Sequence, residues 1–177
     1  MIIGILLLII ALPFSSMVVE TMTAQTDPVK EVREGDVIFQ TSQSQQSPLI
    51  QIATRSKISH CGIIVMKDGE PYVLETLKTL VITPLDKFIA RGKGGRYWLK
   101  RSNIENIKFK YDSYLGKPYD LAFKFDNDKF YCSELIYDIY KNQLGIELCE
   151  PKKVSDYLIL GTDKLPMIEK AMKKRGI

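Results

Sequence analysis

The sequence predicts an α+β domain, with an antiparallel sheet in the middle of the chain and helices before and after it. Three observations carry this. Two β-favouring runs, HCGIIVM and PYVLETL, are joined through Lys67-Asp68-Gly69-Glu70, and Asp-Gly between such runs is the strongest short-range hairpin signal. The stretches SPLIQIATRS and FYCSELIYDIYKNQLG repeat their apolar residues at helical spacing instead. The 177 residues, 45% of them hydrophobic, suffice for one core and hardly for two.

Taken in order, EGDVIFQ is the first strand of the sheet, with Val37, Ile38 and Phe39 behind a Gly-Asp turn. In SPLIQIATRS, Ser47 is placed to cap a helix and Pro48 suits its first position. The hairpin follows. LVITPLDKFIARGKGG reads as a strand end, a short helix from Pro84 and a glycine-rich turn, and RYWLKR as another strand. A helix is expected from Ile104 to Leu115, stopped at Gly116-Lys117-Pro118. The helix from Tyr131 presents Leu135, Ile136, Ile139, Tyr140 and Leu144 on one side and is closed by Gly145. The tail from Val154 holds a short strand and a final helix.

The net charge of +4 is too balanced for a disordered chain and too evenly spread for a dedicated nucleic-acid binder, so no nucleic-acid partner is expected. The run MIIGILLLIIALPFSSMVV is apolar without a polar stripe, which a buried core helix would show. Residues 1–24 read as an export signal or an N-terminal anchor, 25–34 as a linker and 35–177 as the domain. The expected location is accordingly outside the cytoplasm, in the periplasm or cell envelope or held at a membrane.

The single histidine, His60, stands directly before Cys61 at the front of an apolar run. Three cysteines in an exported chain leave at least one free thiol, a candidate nucleophile. Cys61, Cys132 and Cys149 are too scattered for a zinc site, so no metal is expected, and nothing calls for an organic cofactor. With Asp68-Gly69 as the turn, Lys67 faces Glu70 and Gly62 faces Glu75. His60 and Glu75 then share a face as diagonal neighbours, close enough for the carboxylate to hold the imidazole. Cys132 is the preferred nucleophile, because free amides at a helix start favour a thiolate. Cys61 alternates to the face opposite His60, and packing is its expected role. Taken singly, a histidine at a strand edge or a cysteine at a helix start is more often structural. Glu75 in register with His60 tips the combination toward catalysis.

SHCGIIV, YVLE, GKPYD and YCSELIY, in that order, resemble the permuted papain-like amidases of the YiiX type, relatives of the NlpC-type cell-wall peptidases. The resemblance spans Gly35 to Leu144 and implies a circularly permuted papain-like fold, a central antiparallel sheet or barrel with flanking helices. It implies Cys132 as nucleophile, His60 as general base and Glu75 as the residue orienting it. Tyr119, in GKPYD, is the expected oxyanion donor or substrate-shaping wall, with a loop-anchoring Tyr-Asp turn as the alternative. The expected activity is cleavage of an amide in a cell-wall peptide or an N-acyl amino acid through a thioester. Two alternatives stand beside it: a lipid-directed acyltransferase or hydrolase on the same triad, and a non-catalytic module binding fatty acids or peptides.

Overall fold

The computed structural model describes residues 17–20, 32–125, 127–151 and 173. Strands β1 (Met17–Glu20), β2 (Val37–Ser42), β3 (His60–Lys67), β4 (Glu70–Thr76), β5 (Leu80–Pro84) and β6 (Gly92–Ser102) form one sheet in the order β1-β6-β2-β3-β4-β5. Every neighbouring pair is antiparallel. The β3-β4 hairpin turns on Asp68 (φ 54°) and Gly69 (φ 83°), the paired left-handed conformations that a two-residue turn needs to match strand twist. Its register runs from Lys67↔Glu70 to Ile63↔Leu74, as counted from the sequence.

Alternation along the strands divides the interior into two layers. Val37, Phe39, Cys61, Ile63, Val65 and Leu74 pack against Leu135, Ile136, Ile139 and Tyr140. These come from α3 (Cys132–Asp138) and the π-helical turn Ile139–Gln143 that continues it. Ile38, Ile64 and Val73 face the other way, onto Leu85 and Phe88 of α2 (Leu85–Ala90) and onto Tyr97 and Leu99. Most of these side chains are wholly buried, and each such Val, Ile, Leu or Phe contributes about 1.5–3 kcal/mol relative to an exposed one. Tyr140 also donates its hydroxyl to the Gly35 carbonyl at 2.6 Å, tying α3's continuation to the entry of β2.

Several expectations need correction. Helix α1 (Ser47–Thr54) forms with Pro48 in its first turn, but Gln46 occupies the cap position. Ser47 is buried, and its Oγ meets Ser59 Oγ at 2.6 Å and accepts from Gln51 Nε2 at 2.8 Å. Its hydroxyl therefore braces the entry to β3. No helix forms over 104–115. In IKFKY the residues facing inward alternate (Ile107, Phe109, Tyr111) with exposed Lys108 and Lys110, a period of two that outweighed the helical spacing. The Gln143 amide pairs with both the N–H (2.8 Å) and the carbonyl (2.9 Å) of Lys110, holding this segment extended. The glycine-rich stretch belongs to the start of β6, where the β2-β6 register shifts between Gln40 and Ser42. Among the described residues no helix is long and apolar enough to cross a membrane. The remainder of segment 1–24, residues 25–31 of the linker, and the strand and helix expected after Val154 lie outside the described residues.

Candidate active site

The site lies at one end of the sheet, where β3, β4, α2 and α3 meet. Ser59, buried just before β3, accepts from the Ser42 N–H at 2.9 Å through its Oγ, and its own N–H donates to the Gln40 carbonyl at 3.1 Å. His60 is thereby fixed as the first residue of β3. Its Nε2 lies 2.7 Å from Glu75 Oε2, and its ring stacks on Phe88 with centroids 5.8 Å apart. Gly62 lets the two strands approach. A Cβ there would lie 2.3 Å from Val73 Cγ1 and 2.9 Å from the Leu74 carbonyl oxygen.

Glu75 is wholly buried and has a second cation, the Arg91 guanidinium, on Oε1. Arg91 ends α2 and is 39% exposed, so it closes the carboxylate off while reaching solvent. Burial acts to raise the Glu75 pKa, but the hydrogen bond and charge of His60, the Thr83 hydroxyl and Arg91 hold it below the usual carboxylate range.

Cys132 is the first residue of α3. The helix start is fixed by the Glu134 carboxylate, which accepts from the Tyr131 N–H at 3.4 Å, so the sequence YCSE is a cap as well as a site. His60 and Cys61 are the neighbours that set the state of the Cys132 thiol. Because Nε2 is engaged by Glu75, Nδ1 is the ring nitrogen left for the sulfur. The Cys61 hydrogen bond lowers the Cys132 pKa, burial opposes it, and the His60 hydrogen bond and charge carry it well below the usual thiol range. For His60, burial works against protonation, but the hydrogen bonds and charges of Cys132 and Glu75 overrule it and raise the pKa to about 9. Around neutral pH the pair is a thiolate and an imidazolium.

The structure thus brings together Cys132, His60 and Glu75. The packing role expected for Cys61 holds, since it is buried in the core beside α3. This side chain does face away from His60, into the layer of α3, but that is where Cys132 arrives. Its thiol and its backbone N–H both act on the Cys132 thiol. The hydrogen bond to Cys132 and burial push the Cys61 pKa up, so Cys61 keeps its proton and is the donor. Cys149 is buried in the same core layer.

Tyr119 lines a groove of about 920 Å³ beside His60, and its ring meets Phe123 edge-on at 6.3 Å. Asp120 takes the anchoring role. Its carboxylate accepts from the Ala122 and Lys124 N–H groups, both at 2.8 Å, and from Asn127 Nδ2 at 3.0 Å. The groove is walled by Ser42, Gln43, Ser44, Gln45, Lys78 and Arg91, with Leu77 exposed at its rim. Sequence reasoning missed Arg91 and Thr83. Each reaches Glu75 from another element, and no local spacing signals such a contact. Cys61 had a signal, since it adjoins the only histidine, but strand alternation alone could not show what lies on its other side.

A protein-family model described as "Permuted papain-like amidase enzyme, YaeF/YiiX, C92 family" matches residues 31–172. The chain is 35% identical over 148 residues to the Escherichia coli (strain K12) protein called "Uncharacterized protein YiiX", covering 80% of this chain and 71% of that one. A crystal structure described as "metalloprotein yiiX from Escherichia coli O157:H7" superposes with a TM-score of 0.68 at 36% identity, covering 81% of each chain. With its histidine strand preceding its cysteine helix on a papain-like sheet, the chain belongs to the permuted papain-like amidases of the YaeF/YiiX type, the C92 family.

Proposed function

We propose that the protein is a cysteine hydrolase that cleaves an amide bond, with a peptide or an N-acyl amino acid as substrate. The observation that carries this is the Cys132 sulfur held against His60, which is itself held by the buried, doubly bound Glu75. The Cys132 thiolate attacks the carbonyl carbon. The His60 imidazolium gives its proton to the leaving nitrogen, and a thioester remains on Cys132. Water, deprotonated by His60, releases the acid and regenerates the thiolate. Glu75 fixes the ring orientation and stabilises the imidazolium throughout, without taking its proton. The Cys132 backbone N–H and Tyr119 are assigned to the oxyanion.

The groove favours an amide over a lipid substrate. Its walls are mostly amide and hydroxyl side chains with two cations, Lys78 and Arg91, whereas an acyl chain calls for a continuous apolar lining. No carboxylate is among the described residues that line the groove, and Glu75 is already paired with His60 and Arg91. A substrate carrying its own carboxylate therefore fits this groove best.

The solved YiiX is described as a metalloprotein. Here, among the described residues, no three His, Cys, Asp or Glu side chains are grouped as ligands for one ion. Glu75 is committed to His60 and Arg91. Among the described residues the donor set does not fit a metal, and the reaction above uses none.

The test is a panel of short peptides, N-acyl amino acids and acyl glycerolipids, followed by mass spectrometry of the products and of Cys132. Amide cleavage with a thioester adduct on Cys132, abolished in Cys132→Ala, is the expected result. Turnover of acyl lipids alone would move the assignment to the lipid-directed alternative. An unmodified Cys132 throughout would leave the binding-module reading.

A further inference from the structure

Two buried polar atoms of residues lining the groove have no hydrogen-bond partner among the described residues, Gln40 Oε1 and Thr76 Oγ1. Gln40 is 1% exposed and Thr76 2%. A buried polar atom left unpaired costs stability, and a native chain seldom keeps one without a use. The polar groups around them are satisfied. Ser59 Oγ is shared between the Ser42 N–H and Ser47, and Gln43 Nε2 donates to the Arg91 and Gly92 carbonyls, both at 3.3 Å. Gly92 also keeps the space that the Gln40 carboxamide fills, since a Cβ there would lie 2.4 Å from Oε1.

Gln40 pairs with His60 across β2 and β3, and strand alternation turns both toward the α2 side. Side chains so opposed have Cβ atoms about 4.5–5.5 Å apart, which sets the carboxamide beside the imidazole. Thr76 ends β4, on the other flank of β3. His60 lines the groove, whereas Cys132 is not one of its lining residues. In the hydrolysis proposed above, Cys132 takes the acyl carbon and His60 serves the leaving nitrogen. A groove walled by the second and not the first receives the part of the substrate that departs with the nitrogen.

We propose that the groove is the leaving-group subsite and that Gln40 is its specificity-determining residue. Gln40 Oε1 accepts the N–H of the scissile amide, while Thr76 Oγ1 and Lys78 hold a carboxylate at the end of the leaving portion. The proposal rests on the hydrolase reading and narrows its substrate to a secondary amide that releases an amino acid or a short peptide with a free C-terminus. His60 delivers its proton to the lone pair of the nitrogen. The N–H already there needs an acceptor of its own, and Gln40 supplies it. An ester brings no N–H and would leave Oε1 buried and unpaired in the complex, so the same residue selects amides against esters.

The test reads binding and does not depend on turnover. Full-length Cys132→Ala protein with labelled histidine is titrated in an NMR experiment that follows the ring signal of His60, the only histidine. The probes are N-acetyl-L-alanine, its ester counterpart O-acetyl-L-lactate and its uncharged counterpart N-acetyl-L-alaninamide. N-acetyl-L-alanine is expected to shift the signal saturably, and each of the others to bind about tenfold or more weakly. With Gln40→Met added, amide and ester should bind alike. Unfolding in urea should come no earlier, because an apolar side chain of similar shape replaces an unpaired acceptor. Should the methionine variant misfold, the amide-ester comparison with Gln40 in place still decides the question. Three outcomes overturn the proposal: no saturable shift with any probe, an affinity for the ester or the alaninamide equal to that for N-acetyl-L-alanine, or a Gln40→Met protein that loses stability but keeps its discrimination. None of these touches the hydrolase reading, which the thioester on Cys132 tests separately. The expected binding pattern beside a parent chain whose Cys132 stays unmodified across the substrate panel would instead retire the hydrolase, and the leaving-group assignment with it.

Discussion

Glu75 is the residue on which the charge balance of the site turns. It is wholly buried between two cations, and removing its charge while keeping its shape leaves both uncompensated. The pH dependence follows from His60. Its folded pKa of about 9 exceeds the usual 6.5, so the bound proton stabilises the fold fully below about pH 6.5 and ceases to as the pH rises through about 9. In the proposed reaction the same proton goes to the leaving group, so amide cleavage should fall on the alkaline side near pH 9. In Glu75→Gln one of the forces raising the His60 pKa is gone. The alkaline limb should therefore move to lower pH, and iodoacetamide labelling of Cys132 at pH 6 should drop by roughly tenfold or more, about one unit of thiol pKa. A pH-rate profile unchanged by Glu75→Gln would detach the carboxylate from the mechanism. The placement of His60, Glu75 and Cys132 was legible in the sequence because a hairpin converts spacing into geometry and an amphipathic run marks where its helix starts. Arg91, Thr83 and the true neighbour of Cys61 were not, because each contact depends on how separate elements dock.

The β3-β4 hairpin is the element that aims the base. Its two-residue turn sets the register, and Gly62 sets the strand spacing just where His60 must reach Glu75. Gly62→Ala forces a methyl group into Val73 and the Leu74 carbonyl, and neither can leave the hairpin. Overpacking of this kind costs about 1–3 kcal/mol. The variant should lose that much stability in urea titration and should lose labelling of Cys132 at pH 6 in the still-folded protein. A variant destabilised but labelled at the parent rate would show that the strands part without moving His60. The hairpin was readable from Asp-Gly and its flanks. The extended segment over 104–115 was not, since IENIKFKYDSYL carries both a helical and an alternating pattern. Only the sheet end and the Gln143 side chain select between them.

Across the whole molecule, the site draws on both layers of the interior. Cys132 enters from the side of α3, and His60 and Glu75 sit on the side of α2, so the thiolate exists only while both layers are packed on the sheet. Low-pH reactivity of Cys132 should accordingly disappear in the same urea transition as the far-ultraviolet circular dichroism signal. A reactive thiol lost at clearly lower urea would mean that α3 detaches before the sheet melts. The overall architecture was legible because two strong signals, a hairpin and a C-terminal amphipathic helix, bracket most of the core. The order β1-β6-β2-β3-β4-β5 was not, since nothing local announces that β6 returns to lie beside β2.

The order of elements also matters while the chain is being made. The base and its carboxylate lie on the hairpin, and the sulfur they activate comes on α3, which follows all six strands of the sheet in the chain. A nascent chain that has folded its sheet holds His60 and Glu75 in place with nothing to activate. A product truncated before Cys132 is chemically silent, however complete its sheet. Reactivity is therefore conferred only when α3 joins a sheet that already carries the base and its carboxylate.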